Sequence, residues 1–377
     1  MMRYHNPVEI RDGEDVLANL ADTLLETVPQ ARRVLLLTRG RDFCQSEAYA
    51  RLQKALQAYE IREISFTASN PDVSELLPLL QALEKVPIDL IVAVGGGSVL
   101  DVGKCIATLH GRAFASAAEL AGYILQGSYA EPGIPWVALP TTAGTGSEVT
   151  PWATVWDRAG RRKLSMNNPE NFARLALLDP LLTVSQPRGL TVSSALDAVC
   201  HATEAYWAKN TNPVSRIFAL QAIRQIAVTL PVLLAEKEAP ELRLALARAS
   251  LYAGLAFSNT RTTICHSLSY PLTAGYHIPH GVAAVLSLAS FLRINQPAIA
   301  AFPALLQAFQ QPDTAGVQQW LAAMLQQGSF GWRLRDFGVA RSDFADIIQH
   351  AFTKGRADNN PVLVTEKQLR EVLEEIY

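Results

Sequence analysis

Four short apolar runs punctuate the first half of the chain: Val34 to Thr38, Ile88 to Val94, Trp136 to Leu139 and Leu175 to Leu178. Each is short for a helix and ends at Gly, Pro or a polar turn, the pattern of buried strands. Between the first two, Ser46 to Tyr59 and Val73 to Leu83 carry apolar residues at helical spacing. Alternating strand and helix predicts a doubly wound parallel sheet. From about Pro187 the pattern changes to long Ala- and Leu-rich stretches with helical periodicity, broken by Pro and Gly. The reading is a dinucleotide-binding α/β domain over residues 1–185 and an all-helical domain over 186–377. The cut falls between Asp179-Pro180 and Gln186-Pro187, because Pro disfavours helix at the residue before it.

Two turns at strand ends carry candidate chemistry. The second run leads into Gly95-Gly96-Gly97-Ser98, followed by Val99, Leu100 and Asp101 at the start of a helical pattern. Glycines let the backbone approach a pyrophosphate, and the free N–H groups of a helix start favour an anion. The spacing is not G-x-G-x-x-G, so a plain tight turn competes with this reading. The third run leads into Pro140-Thr141-Thr142-Ala143-Gly144-Thr145-Gly146-Ser147-Glu148. Its hydroxyls and amides suit the cofactor's ribose and phosphates, where the plainer alternative is a Ser/Thr-rich helix cap. Together the two turns point to NAD(P)(H). After the first run, Arg39 stands where NAD-selective sites often carry a carboxylate, which favours NADP(H) over NAD(H), against the alternative of a solvated loop arginine.

The helical half adds a second constellation. Asp197 and His201 lie one turn apart on one helix face among apolar residues. Buried there, they need each other or a cation. Three of the seven histidines follow at His266, His277 and His280. An oxygen and three nitrogens, from Asp197, His201 and two of these, suit Fe(II) or Zn(II) with positions open for a substrate oxygen. Spacing does not choose between His277 and His280.

Composition narrows the class. The 377 residues are 49% hydrophobic with a formal charge of -2, enough for two cored domains and no disordered or fibrous chain. No run of Lys or Arg suggests a nucleic-acid or anionic-membrane partner. The N-terminus lacks an apolar signal core, and the apolar stretches read as too short or too interrupted to span a bilayer. Cys44, Cys105, Cys200 and Cys265 are widely spaced and form no C-x-x-C pair, which suggests neither a disulfide framework nor a thiolate zinc site and fits a reducing cytoplasm.

In combination and order, GGGSxxDxxK, P-T-T-x-G-T-G-S-E, D-x-x-x-H and two later histidines thirteen residues apart, the second in P-H-G, resemble the iron-containing (group III) alcohol dehydrogenase family over nearly the whole chain. The resemblance implies that family's fold, shared with dehydroquinate synthase, and a homodimer. It implies Asp197, His201, His266 and His280 as metal ligands, with His277 left to relay a proton. It gives Gly95, Gly96, Gly97, Ser98, Asp101, Thr141, Thr142 and Thr145 to the cofactor, with Ser147 in the same turn and Lys163 nearby. Asn359-Asn360-Pro361 also fits a family pattern, read as packing. Many members carry a histidine four residues after the third ligand, where this chain has Tyr270. The stretch from Arg261-Thr262-Thr263 to Thr273 looks more like the branch that includes phosphonoacetaldehyde reductases.

The expected reaction is hydride transfer between nicotinamide and a small aldehyde or primary alcohol whose oxygen the metal polarises. Tyr270 or His277 passes the proton, and Arg261 clamps an acidic tail on the substrate. The competing readings are a dehydroquinate-synthase-like lyase that uses NAD transiently, and a glycerol-dehydrogenase-like or maleylacetate-reductase-like oxidoreductase.

Overall fold

In a computed structural model of the protein, which describes residues 3–129, 133–160, 162–236 and 239–377, the apolar runs form the middle of one parallel sheet. The strands are β1 (Glu9–Asp12), β2 (Arg33–Thr38), β3 (Glu60–Ser65), β4 (Leu90–Gly95), β5 (Trp136–Pro140), a separate antiparallel hairpin of β6 (Trp152–Asp157) and β7 (Arg162–Asn167), and β8 (Leu175–Leu178). The six-stranded sheet runs β1-β8-β5-β4-β2-β3. Its four middle strands are the four apolar runs. Val34, Leu36, Val92, Val94, Val137, Leu139 and Leu177 pack on one face against Leu20, Leu24, Leu52 and Leu56.

Both edge strands and the hairpin escaped the sequence reading for a physical reason. β1 (EIRD) and β3 (EIREIS) are polar and largely open to solvent, so they lack the apolar run that marks a buried strand. The helices α1 (Glu47–Leu56) and α2 (Val73–Leu83) form on the expected segments, and α3 (Gly97–Leu109) follows the glycine turn. Asp72 starts α2 with a capping box, its carboxylate accepting from Ser74 N while Glu75 reaches back to the Asp72 N–H.

The chain divides into two compact units. One holds residues 6–142 and 147–185; the other holds 186–377, the residues up to His5 and the short segment 143–146. The helical unit is built around α4 (Arg188–Trp207), buried continuously from Thr191 to Trp207. It packs against α5 (Pro213–Ala235), α6 (Pro240–Thr260) and, beyond α7 (Ile264–Tyr276), α8 (His280–Leu286). No strand forms after Pro187 among the described residues. One helix, α5, is long and apolar enough to cross a membrane, contrary to the sequence reading; half of its most apolar window is buried inside the fold, as in a core helix.

Candidate metal centre and dinucleotide turn

The glycine turn joins β4 to α3. Thr38 pairs with Val94, so Arg39 at the end of β2 lies level with Gly95. The α3 N-terminus has no side-chain cap, which leaves its first N–H groups available to an anion. A Cβ at Gly95 would lie 2.4 Å from Val99, and one at Gly96 3.2 Å from Thr142 Cγ2, so the two polar turns touch here. Thr141 N donates to Gly95 O at 3.0 Å. Ser98 Oγ accepts from Asn70 N at 3.1 Å. Gly103 brings α3 onto β4, where its Cβ would meet that of Ala93 at 3.1 Å.

Asp101 is committed inside this unit. Its Oδ1 accepts from Ser147 Oγ at 2.6 Å and Lys104 Nζ at 3.4 Å, and its Oδ2 from Thr154 N at 2.9 Å. Lys104 is fully buried and also donates to Ser147 Oγ, Thr150 Oγ1 and Trp152 O, while its ammonium faces the Trp136 ring. Burial depresses the Lys104 ammonium's pKa, and Asp101 opposes that depression. The turn motif ends on this lysine, but the sequence reading gave it no role; the signal was a cation inside an otherwise apolar helix. Arg39 Nη2 donates to Ser185 Oγ at 3.0 Å, and its guanidinium faces Phe43. Lys163 sits on β7 opposite Trp156.

In the helical unit the metal candidates converge. On α4, Asp197 and His201 present Oδ2 and Nδ1 3.8 Å apart. From α7, His266 Nε2 stands 3.4 Å from Asp197 Oδ1. His201 stacks on His266 with ring centroids 4.3 Å apart, and on Phe257 from α6 at 4.2 Å. His280, the first residue of α8, closes a further side, its centroid 5.4 Å from that of His266. Tyr270 stacks on His280 at 6.0 Å. His277 lies three residues earlier, exposed in the left-handed C-cap of α7, and is not in this stack.

Asp197 Oδ1, His201 Nδ1 and His266 Nε2 are buried and have no hydrogen-bond partner. The ligand atoms of these three residues lie within 4.8 Å of one another. Atoms sharing a divalent ion at bonds of about 2.0–2.2 Å stand about 3–4 Å apart, so the set fits one cation. Burial pushes the His201 imidazole down to about 4, with the charge of Asp197 opposing. Burial opposes the Asp197 carboxylate, yet His201, His266 and His280 outweigh it and hold the group well below the usual range. Cys200, Glu204 and His266 form a second close group. Its oxygens are already taken: Glu204 accepts from Thr263 N and Oγ1, Cys265 N and His266 Nδ1 at 2.5–3.0 Å.

Glu204 is the residue the sequence reading passed over. It lies seven residues after Asp197 and three after His201, on the same face of α4, and a third polar residue at that spacing was the available signal. Burial alone would depress His266, but the charge and hydrogen bond of Glu204 and the nearby Asp197 carboxylate lift it to about 9. Two glycines bring the backbone close. A Cβ at Gly281 would fall 2.0 Å from Ser193 O and 2.8 Å from Asp197 Cβ, so only glycine lets α8 meet α4 at the carboxylate. At Gly144 it would fall 2.4 Å from Ser194 O, and His201 hydrogen-bonds the Gly144 backbone.

Arg261 follows α6 with φ 63° and ψ 177°, a backbone region nearly reserved for glycine that costs a side-chain-bearing residue about 1–3 kcal/mol. The guanidinium is half-buried.

Residues 7–180 match the profile of iron-containing alcohol dehydrogenase, and residues 191–377 that of the C-terminal part of the Fe-containing alcohol dehydrogenase family. The 1,3-propanediol dehydrogenase of Citrobacter freundii is 33% identical over 317 residues, covering 82% of this chain and 81% of its own length. A phosphonoacetaldehyde reductase of Streptomyces viridochromogenes is 36% identical over 222 residues, 58% of this chain and 56% of its own. The structure of a sulfoacetaldehyde reductase from Bifidobacterium kashiwanohense, in complex with NAD+, superposes with a TM-score of 0.87 at 29% identity, covering 100% of this chain and 98% of that one. With both halves matched in order and a relative aligned across most of its length, the chain belongs to the iron-containing alcohol dehydrogenase family.

Proposed function

We propose that the protein is a metal-dependent, NAD(P)-linked alcohol dehydrogenase that interconverts a small aldehyde carrying an anionic tail and the corresponding primary alcohol. One observation carries the reading: three buried ligand atoms, Asp197 Oδ1, His201 Nδ1 and His266 Nε2, converge without partners. With His280 they would hold Fe(II) or Zn(II). Such an ion supplies Lewis-acid polarisation of a carbonyl, and the dinucleotide supplies the hydride.

The remaining roles fall to the chain's own groups. Phe257 and Gly144 fix the plane of His201, and Glu204 fixes that of His266. Tyr270, buried against His280, would hand a proton to the product oxygen, and exposed His277 would exchange one with water. Gly95, Gly96, Gly97 and Ser98 would seat the pyrophosphate, with Thr141, Thr142, Thr145 and Ser147 toward the ribose and Lys163 beside the cofactor. Asp101 acts by holding Ser147 and the start of α3 in place. Arg39, level with Gly95, favours NADP(H). The anionic tail goes to Arg261, five residues before His266; the phosphono- and sulfoacetaldehyde reductases among the similar proteins support that substrate class. Exposed Ile217, Val228 and Val232 on α5 support a homodimer, and four free cysteines a reducing cytoplasm.

The test is oxidation of NADPH and NADH by metal-stripped protein, with Fe(II) or Zn(II) added back, against acetaldehyde, glycolaldehyde and phosphonoacetaldehyde. Metal-dependent turnover with preference for the anionic aldehyde and for NADPH is expected. Turnover that ignores the metal overturns the metal assignment, and a preference for NADH overturns the role of Arg39.

A further inference from the structure

Asn359 grips the backbone on both sides of Arg261. Its Nδ2 donates to Thr260 O at 2.9 Å and Thr262 O at 3.1 Å, and its Oδ1 accepts from Asn210 N at 3.3 Å. The glycine-like conformation of Arg261 is therefore held in place from outside its own helix. The segment leading to Asn359 has a second anchor beside the metal candidates. Ser267, next to His266, donates through Oγ to Ala351 O and accepts from Thr353 N at 2.8 Å.

Gly355 and Arg356 lie between these anchors. A Cβ at Gly355, whose φ is 78°, would come within 3.6 Å of Arg261 Nη1, so the segment runs directly against that guanidinium. Arg356 is half-buried here. Burial lowers the pKa of Arg261, and the like charge of Arg356 lowers it further. The charge of Arg356 reaches Arg261, and like charges that act on each other are drawn to an anion that can meet both.

We propose that Arg261 and Arg356 together form a two-cation seat for a dianionic substrate tail, so that the enzyme selects an aldehyde ending in a phosphonate or phosphate over one ending in a singly charged sulfonate or carboxylate. This rests on the anionic-aldehyde reading above and adds Arg356, which no motif marks, as a specificity-determining residue. A phosphonate dianion offers three oxygens, enough for a two-point contact from one guanidinium and a further contact from the other. A sulfonate has the same shape with half the charge.

The experiment measures kcat/KM for phosphonoacetaldehyde, sulfoacetaldehyde and acetaldehyde with the metal-loaded wild type, Arg261→Gln, Arg356→Gln and Arg356→Lys. Binding of methylphosphonate is followed by calorimetry in the same proteins. The wild type should rank phosphonoacetaldehyde above sulfoacetaldehyde and both above acetaldehyde. Arg356→Gln should cut the phosphonoacetaldehyde-to-acetaldehyde ratio by about tenfold or more, chiefly through KM, and weaken methylphosphonate in parallel. Arg356→Lys, which keeps the charge, should recover part of both. A ratio unchanged in Arg356→Gln but lost in Arg261→Gln would show that Arg261 acts alone and overturn the seat. A wild type that does not prefer either anionic aldehyde to acetaldehyde would overturn the anionic reading, and the seat with it.

Discussion

His266 donates its Nδ1 proton to Glu204 Oε2 at 2.5 Å, which turns Nε2 toward Asp197 Oδ1 at 3.4 Å. A carboxylate behind an imidazole fixes its tautomer and raises its basicity toward a metal. Glu204→Gln preserves the shape and removes the charge, so metal affinity, read by chelator competition, should fall about 10- to 100-fold. An affinity equal to wild type would reduce Glu204 to a cap on α7.

Glu148, buried beside the second polar turn, gives the clearest pH signature away from the metal residues. Burial pushes its carboxyl up from 4.5 to about 7, with Lys104 opposing. A raised carboxyl favours the folded state below its unfolded value, and that contribution is lost as pH rises through the folded value. Relative to wild type, Glu148→Gln should therefore gain on the order of 3 kcal/mol of stability between about pH 4.5 and pH 8. Urea unfolding of both proteins at the two pH values measures this; a difference that does not change with pH would contradict it.

Gly281→Ala places a methyl group 2.0 Å from a carbonyl oxygen of α4, an atom that cannot rotate away. The helices must part, at a cost of about 1–3 kcal/mol, and the α8 residue His280 moves with them. Thermal unfolding and metal content should fall together in this variant. Lowered stability with full metal retention would mean that His280 does not help to hold the ion.

The sequence made the inner sheet legible because strands buried on both faces leave uninterrupted apolar runs, as in β4 and β8. The polar edges β1 and β3 leave none, and the β6–β7 hairpin is joined to the fold by Thr154 N on Asp101, a contact between distant residues. In the metal centre, Asp197 and His201 announced themselves by sharing a helix face. The choice of His280 over His277 depended on resemblance, and the rings now show His280 in the stack and His277 outside it. Asn359 was read as packing. Its grip on both flanks of Arg261 spans about a hundred residues of chain, which no local pattern encodes.

The central claim is that Asp197 and the histidines facing it hold one divalent ion that the reaction requires. Metal content by mass spectrometry, measured with turnover for wild type and Asp197→Asn after dialysis against trace metal, tests it most directly. The account predicts about one ion per chain in the wild type, and loss of both ion and NAD(P)H-linked turnover in the variant. A variant that keeps its turnover without the ion would contradict it.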